Sequence, residues 1–289
     1  MSEPQSSRVL LESPLARVYD VVCRTPRSDY GTLMLNAVTQ IGLPRRGVFF
    51  VERRGETTLI DTNTALMLAP DDEYRVAHPT GRGDEGTVLA LPPDLVEDAL
   101  GRVEGRVGTL GPRDHLAAWV FHRALRDAGT DRLEAEDATL LLLGSLSRAF
   151  TDAEREDRSI GPGQRLRVER ARALLAGAPT DRWSLGALAR SLRCSPFHLA
   201  RQFRAATGET ISRYALRLRL GVALQRLAEG ERDIATLAID TGFSHHSHFS
   251  ARFRSVFGIT PKEAREILTR PKFDELRALL AGLKPAGYG

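Results

Sequence analysis

The side chains of this 289-residue chain that are best suited to chemistry stand in two stretches about fifty residues apart. A guanidinium group can donate two parallel hydrogen bonds to the O6 and N7 atoms of guanine, and it also neutralises phosphate. Hydroxyl groups donate to bases or phosphates, and an exposed aromatic ring can contact a thymine methyl group or a sugar. The composition of both stretches therefore indicates contact with double-stranded DNA. The candidate residues are Phe197, Arg201, Arg204, Ser247, Ala251, Arg254 and Arg217.

Histidine and cysteine raise a metal site as the alternative chemistry. His245, His246 and His248 stand close together, but a place at the start of a helix explains them without an ion. Cys23 and His78 could meet after folding, and a buried cysteine beside a loop histidine is the simpler interpretation. The Cys/His spacing matches no zinc motif, so the sequence predicts neither a metal nor a cofactor.

The candidate DNA contacts lie in two similar segments, residues 184–208 and 233–265. Each segment has a short apolar helix pattern, a turn, and a second helix with a buried stripe. An offset of 50 residues places Phe203 of the first segment on Phe253 of the second, and Gly242 suits a turn with positive φ. An arginine-bearing helix after a tight turn is how a DNA recognition helix is built.

Outward positions follow from counting 100° per residue away from the buried stripe of each second helix. Arg201 then points outward and is the best candidate for reading a base. Arg204 and Arg254 also point outward, where a phosphate contact is an equally good interpretation. Arg217 lies on the predicted connecting helix, residues 210–228, and is expected on its solvent or DNA side.

The second segment carries a family resemblance. The chain resembles the C-terminal signature of AraC/XylS-type transcription regulators over about residues 165–270. The resemblance implies sequence-specific DNA binding by two helix-turn-helix units, and it adds His246 as a groove position. It also implies a homodimer, contact with RNA polymerase and a small-molecule effector. Arg193 departs from the pattern, because the first unit often has glycine there. The matching residues are Gly242-Phe243-Ser244, Ser247-His248-Phe249, Phe253-Arg254, Phe257-Gly258, Thr260-Pro261 and Arg265.

The N-terminal half has a different pattern. Short β-branched and aromatic runs between turns predict an antiparallel barrel or sandwich over about residues 14–92. This region resembles the cupin-like sensor domain of the same regulators. Two helices at 114–128 and 133–150 then predict a helical hairpin that packs on the barrel and also on a partner subunit or another part of the chain. His115 and His122 are expected at the surface or at an interface.

The resulting fold class is α+β, with a cupin-like antiparallel β-barrel domain and helical hairpin followed by an all-α double helix-turn-helix domain. Charge supports the division: residues 164–270 hold 19 basic and 9 acidic side chains, while the remainder holds 22 and 28. The sequence shows neither a signal peptide nor an 18-residue apolar run, so a cytoplasmic location is expected. The predicted segments are a flexible arm (1–13), a regulatory and dimerisation domain (14–150), a linker (151–163), a DNA-binding domain (164–270) and a tail helix (271–289).

These observations predict a transcription factor that is not an enzyme, and they leave two alternatives. A cupin-like enzyme with a DNA-binding appendage would need metal ligands, but His78 is the only histidine before His115. The second alternative is a DNA-binding protein with little sequence preference, and competition by random DNA would reveal it.

Overall fold

A computed structural model describes residues 5–100, 106–126, 131–156 and 161–282, with side chains of 151–156 and Pro162 left aside. Two antiparallel sheets come first in the chain, and helices follow. The strands are β1 (Gln5–Glu12), β2 (Arg17–Cys23), β3 (Met34–Leu35), β4 (Thr39–Arg46), β5 (Phe49–Arg53), β6 (Glu56–Ile60), β7 (Thr64–Leu68), β8 (Glu73–Ala77), β9 (Asp84–Leu91) and β10 (Arg106–Thr109). The helices are α1 (Pro93–Leu100), α2 (Pro112–Leu125), α3 (Arg132–Glu156), α4 (Pro162–Gly177), α5 (Leu185–Ser191), α6 (Pro196–Thr207), α7 (Ile211–Ala228), α8 (Ile234–Asp240), α9 (His246–Phe257), α10 (Pro261–Thr269) and α11 (Phe273–Leu280).

The two sheets confirm the predicted fold class. The larger has the strand order β1-β2-β9-β4-β7-β10, and the smaller has the order β3-β8-β5-β6. Val51 and Ile60 of the small sheet form one apolar cluster with Leu66 and Leu68 of the large sheet, so the sheets share a core. Helices α2 and α3 follow as predicted, and they contact each other.

Four strands were not expected, namely β1, β4, β8 and β10. Residues 5–12 were predicted to be a flexible arm, but they form β1, which pairs antiparallel with β2. The polar residues of β1 suit an edge strand, because β1 is the first strand of the larger sheet and Leu11 is its one buried residue. A second unexpected strand is β4, which lies between β9 and β7. Pro44 obscured it, and the register shifts between Pro44 and Arg46, which is where a strand tolerates proline.

Helix α2 is buried on almost every side, which corrects the expected position of its histidines. His115 and His122 are both buried within the chain. Burial, together with the smaller effect of nearby arginines, lowers the pKa of His115 to about 4 and that of His122 to about 2. The second apolar face of α2 is covered by α7, α9, α10 and α11 of the same chain.

One apolar core crosses the boundary between the predicted domains. Its buried residues run from the large sheet through α2 and α3 to α7, α9, α10 and α11. The tail helix α11 contributes Phe273, Leu276 and Leu279 to this core. Helix α3 continues to Glu156, into the segment predicted as a linker, and residues 157–160 of that segment lie outside the described residues.

A buried polar network joins the two halves beside this core. Arg172 of α4 donates to both carboxylate oxygens of Glu169 at 3.1 and 3.0 Å, and to Asp61 after β6 at 3.1 Å. The hydroxyl of Tyr214 on α7 donates to Asp61, and the backbone N–H of Leu59 donates to Glu169 at 2.7 Å. A buried charge is tolerated only when it is paired and hydrogen-bonded in this way. The network therefore fixes α4 and α7 against the end of β6.

We expect Asp61→Ala to lower the free energy of unfolding by about 3–5 kcal/mol, because it leaves the buried Arg172 and Tyr214 without their shared acceptor. Asp137→Ala is the matched control. It breaks the exposed ion pair between Oδ2 of Asp137 on α3 and Nη2 of Arg277 on α11, which lie 2.8 Å apart. The free energy of unfolding should fall by no more than about 1 kcal/mol. Urea unfolding monitored by circular dichroism measures both values. Equal losses would show that the buried network does not hold the halves together.

Candidate nucleic-acid interface

Caps and glycines define the first helix-turn-helix unit. The Ser184 side chain accepts from the N–H of Ala187 at 3.1 Å and starts α5. Ser195 likewise accepts from the N–H of His198 at 3.2 Å and starts α6, with Pro196 at the favoured first position. Gly208 ends α6 in the left-handed conformation, with φ of 69°.

The second unit is built in the same way. Asp233 accepts from the N–H groups of Ala235 and Thr236 and starts α8. The N-cap position of α9 is His245, whose side chain makes no capping hydrogen bond. Gly258 ends α9 with φ of 81°, as Gly208 ends α6. The predicted repeat of helix, turn and helix is therefore present in both segments.

The two turns share one unusual backbone conformation. Gly242 has φ of 84°, and Arg193, 49 residues earlier, has φ of 52°. Left-handed backbone costs a non-glycine residue roughly 1–2 kcal/mol, whereas glycine adopts it freely. The turn at Arg193 therefore has the same left-handed conformation as the turn at Gly242, although arginine stands where the family pattern often has glycine. This conformation costs the protein some stability.

Buried aromatic rings fix the inner face of each recognition helix. Phe249, Phe253 and Phe257 of α9 are all buried, and neighbouring rings contact each other at centroid distances of 5.7 and 4.6 Å. Phe243 of the turn packs edge-on against Phe249 at 5.2 Å. In the first unit, Phe203 of α6 packs edge-on against Tyr214 of α7. The opposite face of each helix must therefore point away from the core.

The outward faces carry seven of the eight candidate residues. Phe197 is the clearest case, with 73% of its surface exposed although it is a large apolar side chain. The exposed candidates are Phe197, Arg201 and Arg204 on α6, and His246, Ser247, Ala251 and Arg254 on α9. The outward face of each recognition helix thus presents hydrogen-bond donors to solvent, while its inward face is packed against the core.

Arg217 is placed differently from the other seven candidates, and its contact with DNA stays a prediction. Its side chain is only 11% exposed and pairs with Glu209 at 3.0 Å. It also donates to the backbone carbonyl of Leu110, which follows β10. These contacts point Arg217 toward the N-terminal half, because α7 is covered by that half on this side.

A basic cleft between the units was missed by the sequence analysis. It has a volume of about 820 Å³, and its basic lining residues are Arg182, Arg213, Arg217, Arg219, His248 and Arg252. Arg252 lies exposed on α9, and its Nε atom is 3.4 Å from Nε2 of His248. Arg252 was not among the predicted contacts, because only positions opposite the buried stripe of α9 were considered. Arg252 lies on the side of α9 toward the first unit.

Substitutions of two phenylalanines of α6 should affect protein stability and DNA binding separately. Phe203→Ala should lower the free energy of unfolding by about 3–5 kcal/mol, because the ring is fully buried. Phe197→Ala removes an exposed ring of the same size, so stability should change by no more than about 0.5 kcal/mol while affinity for bound DNA falls. Unfolding curves and fluorescence anisotropy with labelled duplex measure the two effects. Unchanged DNA affinity in Phe197→Ala would remove Phe197 from the interface.

Comparison with known proteins agrees with this geometry. A family model described as a helix-turn-helix domain matches residues 188–267. The transcriptional activator RhaS of Pectobacterium carotovorum is 45% identical over 67 residues, which are 23% of this chain and 24% of RhaS. A putative AraC-like transcription regulator of Streptomyces lividans is 31% identical over 93 residues, or 32% of this chain and 31% of that protein. The matches thus span about a quarter to a third of these relatives.

Two solved structures are also similar to this chain. An AraC-type DNA-binding domain from Chromobacterium violaceum is 30% identical and covers 39% of this chain and all of that chain, with a TM-score of 0.36. ToxT from Vibrio cholerae is 15% identical and covers 88% of this chain and 97% of its own, with a TM-score of 0.35. Residues 188–267 of this chain therefore form a helix-turn-helix domain that is similar to those of AraC-like transcription regulators.

Proposed function

We propose that this protein is a sequence-specific DNA-binding transcription regulator and not an enzyme. The observation that carries the proposal is the pair of recognition helices, α6 and α9, whose inner faces are buried and whose outer faces expose hydrogen-bond donors. A helix held in this way enters the major groove of B-DNA, where base edges present a distinct pattern for each pair. The basic cleft between the units would face the phosphates.

The connecting helix sets the reach of the two units. Helix α7 has 18 residues and therefore a length of about 27 Å at 1.5 Å per residue. The major groove of B-DNA returns to the same side of the duplex about every 34 Å. We infer that α6 and α9 enter successive major grooves on one side, so that one chain reads two segments about ten base pairs apart.

The N-terminal half is proposed to regulate this binding. It shares a core with α7, α9 and α10, and it contacts the DNA-binding half through the buried network of Asp61, Glu169, Arg172 and Tyr214. A cavity of about 290 Å³ lies between the halves, lined by β4 and α7 residues among others. That volume is at the lower limit for a small-molecule site, and it is where we propose an effector would bind. Contact with RNA polymerase stays a prediction.

Arg201 tests sequence reading at one base. Selection of bound duplexes from a random pool should first yield an enriched motif with two half-sites. Arg201→Ala should then cost about 1–3 kcal/mol at one position of that motif and relax the preference there, because a lost bidentate contact to guanine removes base identity. Arg132→Ala, an exposed arginine of α3, is the matched control and should change nothing.

Two outcomes would contradict this assignment. The absence of any enriched motif would favour the binder with little sequence preference. A loss of affinity in Arg201→Ala that is equal for every motif variant would make Arg201 a phosphate contact.

We also propose that the protein is a homodimer, joined through α3. Leu133, Leu140 and Leu141 are exposed on this helix, and positions seven residues apart lie on the same face. Leu140→Glu combined with Leu141→Glu should convert dimer to monomer in analytical ultracentrifugation. Leu35→Glu alters an exposed leucine of the small sheet and should leave the dimer intact. A monomeric wild type, or a dimeric double variant, would contradict the proposal.

A further inference from the structure

Three metal-binding side chains meet at one end of the large sheet, far in sequence from the recognition helices. Sγ of Cys23 lies 3.8 Å from Nε2 of His78, and Nδ1 of His78 lies 3.2 Å from Oδ2 of Asp84. One ligand atom from each residue lies within 4.8 Å of the others. Among the described residues this is the group of three or more such side chains that could hold an ion.

The chain comes together here by close backbone approach. Cys23 at the end of β2 pairs with Asp84 at the start of β9, and His78 pairs with Ser28 through two backbone hydrogen bonds. Gly83 has φ of 71°, and a Cβ atom at this position would lie 2.5 Å from the carbonyl oxygen of Cys23. Only glycine fits so close, so the backbone itself brings the three ligands together.

Two polar atoms at this point lack hydrogen bonds from the protein, whereas Sγ of Cys23 lies within hydrogen-bond distance of Oγ1 of Thr25, at 3.1 Å, and of Nε2 of His78. Nδ1 of His78 and Oδ2 of Asp84 are buried and have no hydrogen-bond partner with suitable geometry in the described part of the chain. Although these two atoms are 3.2 Å apart, their angle does not suit a hydrogen bond, so proximity alone does not satisfy them. Buried polar atoms without a partner are uncommon in native proteins, and an ion is one way to satisfy them.

The ligand types indicate which ion would fit. Thiolate, imidazole and carboxylate are the three ligand classes of zinc, with bonds of about 2.0–2.3 Å. Thiolate disfavours Mg²⁺ and Ca²⁺, which take oxygen ligands. Three protein ligands leave a fourth tetrahedral position for water or another small ligand.

We propose that Cys23, His78 and Asp84 form a binding site for a divalent transition metal ion of the zinc class. Sequence analysis interpreted Cys23 and His78 as a buried cysteine beside a loop histidine, because nothing in the sequence placed Asp84 next to them. The site holds both ends of the loop 79–83, and Thr80 of that loop lies close to Gly177 at the end of α4.

Cobalt(II) is the probe for this site, because a cysteine thiolate bound to Co²⁺ gives a charge-transfer absorption that a site without sulfur lacks. Full-length protein is treated with chelator, kept reduced and titrated with Co²⁺. We expect one equivalent to bind with the charge-transfer band and Zn²⁺ to displace it. Cys23→Ser should abolish the band, while His78→Gln and Asp84→Asn should each weaken binding by at least about tenfold, the lower end of the effect of losing an outer-shell partner.

Cys194→Ser is the matched control, since Cys194 is the other cysteine of the chain and lies in the first helix-turn-helix unit. It should retain the band and the stoichiometry. Circular dichroism confirms that each variant is folded before titration. A wild type without the band, or a band that survives Cys23→Ser, would overturn the proposal. The absorption readout needs no DNA, so it stands or falls separately from the proposed regulatory function.

Discussion

The buried ion pair between Arg172 and Asp61 is the constraint on which the arrangement of this protein depends. Arg172 belongs to α4, the first helix of the basic half, and Asp61 follows β6 of the acidic half. Neither charge reaches solvent, so each needs the other, and Tyr214 and Glu169 satisfy the remaining hydrogen-bond capacity. Separating the halves would expose the apolar core and also leave these charges to be rehydrated. The network thus makes the relative position of sheet and recognition helices specific as well as stable.

Helix α7 connects this constraint to the DNA-binding surface. Tyr214 and Leu218 belong to the core of the first helix-turn-helix unit, whereas Leu220, Leu224 and Leu227 belong to the core shared with the sheet domain. The same helix therefore sets the spacing of α6 and α9 and packs against α2. Gly221 permits the closest approach, because a Cβ atom there would lie 3.1 Å from the ring of His115. Burial keeps that histidine neutral, as its lowered pKa shows.

The sequence predicted best where periodicity and capping agree. Ser195 before Pro196, the stripe of Phe249 and Phe253, and Gly258 after the last turn specify local structure, and the helices they predict are present. The orientation of Arg217 could not be derived, because its helix is covered on a side that only the packing of α7 against residues near Leu110 defines. The strand β4 was hidden by Pro44, and the Cys23–His78–Asp84 cluster depends on strand pairing across sixty residues, for which a single sequence carries no signal.

The turn at Arg193 shows how tertiary packing decides a local conflict. Its left-handed backbone is unfavourable for arginine, yet it matches the conformation of Gly242 in the second unit. Leu188 and Ala189 before the turn, and Leu199 and Phe203 after it, are fully buried in one cluster. Burying such side chains contributes about 1.5–3 kcal/mol each for the larger ones, which exceeds the cost of one strained residue. Glycine at this position is therefore dispensable for the turn. The first helix-turn-helix unit, in which Arg201 and Phe197 face outward, tolerates the strained backbone at Arg193.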